Sequence, residues 1–114
     1  MAKFIVLYKA PVAGLEEWMK ADPEKRKAEE EKMRGEWTAW MKERGQGVLE
    51  TAGAGKTKRV TKDGIVDTKN DIMLYSIVEA ESHEDAAKIF EGHPHFGIPD
   101  ASIEIMVINP LTGM

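Results

Sequence analysis

Three segments of this 114-residue chain are apolar at most positions, and this pattern limits what the chain can fold into. β-Branched and aromatic residues fill residues 3–9, 72–80 and 102–108, so each segment predicts a β-strand. Successive side chains of a strand point to opposite faces of its sheet, so both faces of this sheet are apolar. A short chain with two helices covers only one of them. We therefore expect the other face to contact a second copy, which predicts a homodimer.

Two further segments have the pattern of helices. Asp22 can cap and Pro23 can begin a long helix, which we expect to end at Gly45. Its first turns are almost entirely charged, so only its second half, which contains Trp37, is expected to pack. Residues 82–85 form a Ser-x-x-Asp capping box that begins a second helix.

The turn residues Asp63 and Gly64 lie between apolar residues and predict a β-hairpin. With a β-prone segment at 48–60, the order of elements becomes β-α-β, a hairpin, and then β-α-β. This order is the ferredoxin-like split βαβ arrangement. We predict one α+β domain over residues 1–114, a ferredoxin-like βαββαβ fold with an extra β-hairpin and an antiparallel sheet.

Composition excludes several classes of function. The chain has no cysteine, so disulfides, thiolate metal sites and cysteine nucleophiles are ruled out. Its formal net charge is -4, whereas a nucleic-acid binder needs a basic face. The first apolar run, residues 4–8, is too short for a signal peptide, and no later run could span a membrane. We expect a cytoplasmic protein that binds neither nucleic acid nor a membrane.

Charge is distributed unevenly along the chain. Residues 56–69 contain five basic and two acidic side chains, whereas residues 79–104 contain seven acidic and one basic. These segments are either two solvated surfaces or complementary surfaces on two copies of the chain. The sequence leaves both interpretations open.

The segment from His93 to Phe96 carries the most suggestive side chains. His93 or His95 could act as a general base, because the ordinary pKa of histidine lies near neutrality. Together with Glu104 they could instead ligate a metal ion. In the structural alternative, His93 lies at the end of the second helix and Pro94 terminates it. We take His95, His93 and Glu104 as candidate catalytic residues and expect no bound metal.

Polar side chains also interrupt the apolar strands, where they could contact a ligand. Tyr8, Tyr75 and Ser76 are candidate ligand-binding residues, since an apolar pocket with few polar groups suits a small organic molecule. Glu104 is either an acid in that pocket or an edge residue that reaches water. Tyr8, Tyr75, His95 and Glu104 could line a cavity between the sheets of two copies.

No cofactor motif is complete in this sequence. Residues 52–57 look like the end of a phosphate-binding loop, but Glu50 stands where that loop requires glycine. The segment also leads into a hairpin rather than into a helix whose N-terminus could hold phosphate. We therefore expect no cofactor.

Six short stretches, all in the C-terminal half, form a further pattern. They are residues 61–65, 75–80, 82–87, 92–96, 102–105 and 109–114. In these stretches and in its order of elements the chain resembles the YCII-related family, within the dimeric α/β-barrel group. The resemblance implies a ferredoxin-like protomer, with two protomers placing their sheets face to face as a dimeric α/β barrel.

Part of that family has been proposed to use a His and an Asp as an acid–base pair, the Asp lying in an Asp-Pro dipeptide after the second helix. The matching dipeptide in this sequence is His93-Pro94, and no histidine precedes His83. The resemblance therefore supplies no catalytic pair for this chain.

Two functions remain open. The first is a homodimeric protein that binds or transforms a small organic molecule in a cavity between its sheets, by acid–base chemistry of lyase or isomerase type. The alternative is a non-catalytic assembly or regulatory module whose activity is association itself. A metal-dependent enzyme is the third and weakest interpretation.

Overall fold

The computed structural model describes residues 1–112, so the predicted domain and the segment 109–114 each extend two residues beyond the described part. The strands are β1 Ala2–Lys9, β2 Val48–Gly53, β3 Thr57–Thr61, β4 Gly64–Thr68, β5 Ile72–Ala80 and β6 Ser102–Val107. The helices are α1 Val12–Met19, α2 Pro23–Arg44 and α3 His83–Ile89. Short 3-10 turns cover Gly45–Gly47 and Pro94–Gly97.

Four strands form the main sheet, in the order β2-β5-β1-β6, and every neighbouring pair is antiparallel. β3 and β4 form a separate two-stranded hairpin. α2 lies between β1 and β2 in the chain, and α3 lies between β5 and β6. The predicted α+β class, with a ferredoxin-like βαββαβ order, an extra hairpin and an antiparallel sheet, is therefore confirmed.

Local sequence explains several element boundaries. The Ser82 hydroxyl accepts a hydrogen bond from the backbone N–H of Asp85 at 3.1 Å, as the capping box predicts. Asp22 precedes α2, but its side chain makes no capping hydrogen bond, so that part of the prediction is wrong. Gly64 has a φ of 128°, which a glycine adopts without strain and which allows the tight turn of the hairpin.

α2 and α3 cover one face of the main sheet, and the core lies between this face and the two helices. Its buried members are Phe4, Val6, Tyr8, Trp40, Val78, Ala80, Ala86 and Phe90. Within α2 only Trp40 is buried, while Trp37 and Met41 are partly buried against the core. The first turns of α2 are exposed apart from Arg26. The expectation that only the second half of this helix packs is confirmed.

The segment after β1 forms a two-turn helix, α1, over Val12–Met19. The indole N–H of Trp18 donates to Glu29 in α2 at 2.9 Å, and Arg26 lies 5.9 Å from the centre of the Trp18 ring. These contacts hold α1 against the charged half of α2. Within residues 1–112, no helix has the length and apolar character that crossing a membrane requires.

The opposite face of the sheet, which we call the open face, has no helix over it in the described part of the chain. It is formed by side chains paired across three strands: Ile5, Leu7, Tyr75, Ile77, Glu104 and Met106. Met106 is 44% exposed, and the apolar side chains of the two central strands are only half-buried. The predicted second apolar face is present, and the second copy over it remains a prediction.

The protomer is flat rather than spherical, measuring 50 × 46 × 20 Å. Its radius of gyration is 16.1 Å, against about 13 Å for a compact chain of this length. Its accessible surface is 8314 Å², against about 6,200 Å² for a compact monomer of this mass. The open face and the hairpin β3–β4 contribute to this surplus, because both leave apolar side chains in water.

Candidate functional site

The six residues singled out from the sequence lie on two different faces of the sheet. Those on the face beneath the helices are Tyr8, Ser76, His93 and His95, all of which are buried. Those on the open face are Tyr75 and Glu104, which both pair with Leu7. Tyr8 and His95 therefore do not share one cavity with Tyr75 and Glu104, as the sequence led us to expect, because adjacent positions of β1 point to opposite faces.

A chain of three hydroxyl groups crosses the helix-covered face. The Tyr8 hydroxyl lies 2.7 Å from the Ser76 hydroxyl, which lies 2.7 Å from the Thr51 hydroxyl. Thr51 is exposed on the edge strand β2, whereas Tyr8 and Ser76 are completely buried. The pKa of Tyr8 is raised, because the effect of burial is larger than the opposite effect of the hydrogen bond with Ser76. The chain therefore links a buried neutral phenol to solvent.

The turn Pro94–Gly97 holds the two buried histidines in fixed orientations. The backbone N–H of His95 donates to Nδ1 of His93 at 2.9 Å. Nε2 of His95 lies 2.9 Å from the backbone carbonyl oxygen of Lys9, which can only accept, so this nitrogen carries a proton. His95 thus anchors the turn to β1 through its ring and orients His93 through its backbone.

Four aromatic rings pack around the imidazole of His93. Its ring centre lies 4.4 Å from the ring centres of both Trp37 and Trp40, in edge-to-face arrangements. Tyr8 and Phe90 follow at 5.5 and 5.9 Å. His93 is only 2% exposed, so its imidazole lies in an environment with little water. Such an environment strongly disfavours the charged form of the ring.

Burial, with a smaller contribution from the charge of His95, lowers the pKa of His93 from 6.5 to about 4. His93 is therefore neutral near neutral pH. Its Nδ1 accepts the His95 N–H, so the single ring proton resides on Nε2. This Nε2 and Nε1 of Trp40 are both buried, and neither has a hydrogen-bond partner within residues 1–112. Two neighbouring N–H donors thus lack an acceptor.

The polar groups of the open face form a second, more exposed cluster. Lys9 lies 3.3 Å from Glu104 and 3.4 Å from Asp71, and the hydrogen bond to Glu104 raises the pKa of Lys9. The Tyr75 hydroxyl donates to Glu50 at 2.9 Å, which raises the pKa of Tyr75. The Glu104 side chain is 54% exposed, in agreement with the edge alternative and not with a buried acid.

The three-ligand metal arrangement considered from the sequence is not assembled. Glu104 lies on the open face, whereas His93 and His95 lie on the other side of β1. Within the described residues, no group of three or more His, Asp or Glu side chains is placed to hold a metal ion.

Sequence comparisons give no family, since no family model and no curated protein match the chain. A solved structure does match: a 5-chloro-2-hydroxyhydroquinone dehydrochlorinase (TftG) from Burkholderia phenoliruptrix, in complex with 2,5-dihydroxybenzoquinone. The TM-score is 0.50 with 14% sequence identity, and the match covers 90% of each chain. The chain has the fold of this dehydrochlorinase. The comparison agrees with the fold that the YCII resemblance implies, and the family itself remains a prediction.

The side chains beneath the helices offer hydrogen-bond donors and a hydroxyl group to a ligand. This property comes from these residues and not from the shared fold. Nε2 of His93 and Nε1 of Trp40 each have a hydrogen to donate, and neutral imidazole is a donor that carries no charge. Tyr8 supplies a hydroxyl that can donate or accept. The sequence did not single out Thr51 or the donor role of Trp40, because both depend on contacts between distant segments.

Proposed function

We propose that the chain forms a homodimer and that each protomer binds a small organic molecule through a carbonyl or phenolic oxygen. The proposed binding site is His93 with the aromatic rings around it, which we call the His93 cluster: Tyr8, Trp37, Trp40 and Phe90. The observation that carries the proposal is the pair of buried, unpartnered N–H donors on His93 and Trp40. Leaving a buried donor unpaired costs about 1–3 kcal/mol. An oxygen-bearing ligand removes this cost for both donors, which favours such a ligand over an apolar one.

Within this proposal His93 is a neutral hydrogen-bond donor that polarises the ligand oxygen, and Tyr8 is the group that exchanges a proton with the ligand. A proton taken from Tyr8 is replaced through Ser76 and Thr51 from solvent, since each hydroxyl can accept one hydrogen while donating another. His95 positions His93 by fixing its Nδ1 as an acceptor. This chemistry corresponds to the lyase or isomerase type expected from the sequence.

The dehydrochlorinase of the same fold was solved with 2,5-dihydroxybenzoquinone, a ring that carries carbonyl and hydroxyl oxygens. A ligand of that class has the acceptors that the two donors lack, so hydroxylated quinones and phenols are the first probes. At 14% identity, the shared fold guides only the choice of the first ligands to test. The proposed binding position is supported by the donor pair on His93 and Trp40.

The homodimer is supported by the open face and by the surplus surface of the protomer. A standard stable interface buries about 800 Å² on each partner, which is less than the excess area of this flat chain. Tyr75 and Glu104 would then lie in the interface between the sheets, beside the apolar Leu7. The proposed role of these two residues is to line that interface, separate from the His93 cluster.

Thermal shift and fluorescence titration with 2,5-dihydroxybenzoquinone and simple phenols test the ligand site. A ligand that binds only the folded chain raises its melting temperature. The variant His93→Asn keeps an acceptor for the His95 N–H and removes the Nε2 donor, so affinity should fall at least tenfold. The variant His95→Gln keeps an amide donor toward the Lys9 carbonyl and should bind nearly as well as the wild type. Equal affinity of His93→Asn and the wild type would refute the assignment.

The second candidate function, a non-catalytic module that acts by self-association, is favoured by the uncovered apolar face alone. It predicts a dimer by light scattering and no melting shift with any probe. In both cases the variant Leu7→Lys, which places a charge at the centre of the open face, should produce monomers. A wild-type protein that is monomeric would contradict both functions as stated.

A further inference from the structure

The hairpin β3–β4 projects from the protomer, and we call residues 57–68 the hairpin arm. Val60 pairs with Ile65 across the two strands, so their side chains form an apolar pad on one face of the arm. They are 72% and 66% exposed, which places them among the most exposed large apolar side chains of the protein. Val66 lies on the other face of the arm and pairs with Arg59.

An isolated two-stranded hairpin is marginally stable in water unless it packs against another element. The base of the arm is tied to the protomer by the Asn70 side chain, which donates to Thr57 at 3.1 Å, and by the ion pair between Lys69 and Glu16. The pad near the tip has no such support, because Val60 and Ile65 are mostly in water. The tip therefore gains most from a surface outside its own protomer.

A complementary surface lies at the opposite end of the main sheet. A cleft of about 380 Å³ is bordered there by the start of β1, the end of β5 and α3. Its lining combines apolar with mainly acidic side chains: Met1, Ala80, Ile89, Glu79, Glu81 and Asp85, with Arg44 beside them. Within residues 1–112, none of these three carboxylates forms an ion pair. The basic side chains of Arg59 and Lys62 in the arm form none there either.

We propose that the arm of one protomer docks its Val60 and Ile65 pad into the acidic cleft of a second copy, with Lys62 facing Glu81. This inference rests on the homodimer of the proposed function and assigns it a second contact. The arm leaves the sheet beside Gly53, which pairs with Leu74 near the start of β5, while the cleft lies at the end of that strand. A twofold axis perpendicular to the strands brings these opposite ends together in both directions at once.

The uneven charge of the sequence supports this choice of partner. The arm and its flanks carry a net charge of +3 over residues 56–69, and residues 79–104 carry -6. Glu79, Glu81 and Asp85 of the second segment line the cleft, so an antiparallel pair places the basic arm of one copy against these carboxylates of the other. A parallel pair would bring like charges together.

Sedimentation equilibrium on the full chain measures the dimer dissociation constant of matched variants. The double variant Val60→Thr with Ile65→Thr removes the pad while keeping β-branched residues, and should weaken the dimer at least tenfold. Val66→Thr makes the same change on the other face of the arm and should alter the constant less than threefold. Because all three positions are exposed, the far-ultraviolet circular dichroism of each variant should match the wild type.

Charge reversal tests the orientation independently. Lys62→Glu should weaken the dimer severalfold at low ionic strength, and adding Glu81→Lys on the same chain should restore it. Equal dissociation constants for the pad variant and the Val66→Thr control would overturn the arm proposal, and so would failure of the charge pair to restore association. If the dimer ignores the arm but still separates with Leu7→Lys, the open-face dimer stands alone. A monomeric wild type refutes both contacts.

Discussion

Replacing His93 by Asn should remove much of the acid sensitivity of this fold. Burial lowers the pKa of His93 from 6.5 to about 4, so the folded protein binds fewer protons than the unfolded chain between these values. The stability that neutral His93 contributes is complete above the unfolded pKa and is lost as the pH falls toward the folded pKa. Each pH unit is worth about 1.4 kcal/mol, so the wild type should lose about 3 kcal/mol over this window.

Urea denaturation at a series of pH values and a fixed protein concentration measures this loss. Asn cannot titrate, yet its side-chain oxygen can still accept the His95 N–H that Nδ1 accepts in the wild type. The variant should be less stable by about 1–3 kcal/mol near neutral pH, because a ring is removed from the aromatic cluster. The difference in unfolding free energy between the two proteins should shrink as the pH falls. Parallel curves would show that His93 is not held neutral by its surroundings.

Two further predictions concern backbone packing and the hydroxyl chain. Gly47→Ala should lower stability by about 1–3 kcal/mol, because the added Cβ would lie 2.5 Å from the Glu79 carbonyl oxygen. Gly35→Ala, in the exposed part of α2, should raise stability by about 0.5–1 kcal/mol, because its Cβ would meet nothing within 4 Å. Tyr8→Phe should cost about 1 kcal/mol, since Ser76 keeps its bond to the edge strand. Thermal and urea unfolding measure all three, and a stabilised Gly47→Ala or a Tyr8→Phe with unchanged stability would contradict these contacts.

The fold was largely predictable because its signals are local. The turn at Asp63 and Gly64, the capping box at Ser82 and the apolar strands each depend on neighbours in the sequence. The charged residues in the first half of α2 likewise predict that this half is exposed to solvent. What failed was also local: nothing near Asp22 indicated that its side chain would leave the first amides of α2 uncapped.

The candidate site was only partly predictable, because it depends on which strands are neighbours and in what register. Alternation within β1 places Tyr8 and Leu7 on opposite faces, but it does not say whether Tyr75 or Ser76 shares the face of Tyr8. The contact between Ser76 and Thr51 also depends on a register shift near the start of β2, between Val48 and Glu50. Such a bulge changes which side chains share a face, and no residue of the sequence marks it.

The three hydroxyls of Tyr8, Ser76 and Thr51 have one further property. In both contacts either oxygen can be the donor, so the row has two arrangements that differ only in the direction in which every hydrogen points. Reversing the row changes Tyr8 from a group that offers its hydrogen inward to one that offers a lone pair. Water that hydrogen-bonds to Thr51 at the outer edge of the sheet can therefore set whether Tyr8 presents a donor to a deprotonated ligand or an acceptor to a protonated one. No carbon, nitrogen or oxygen atom has to move for this change.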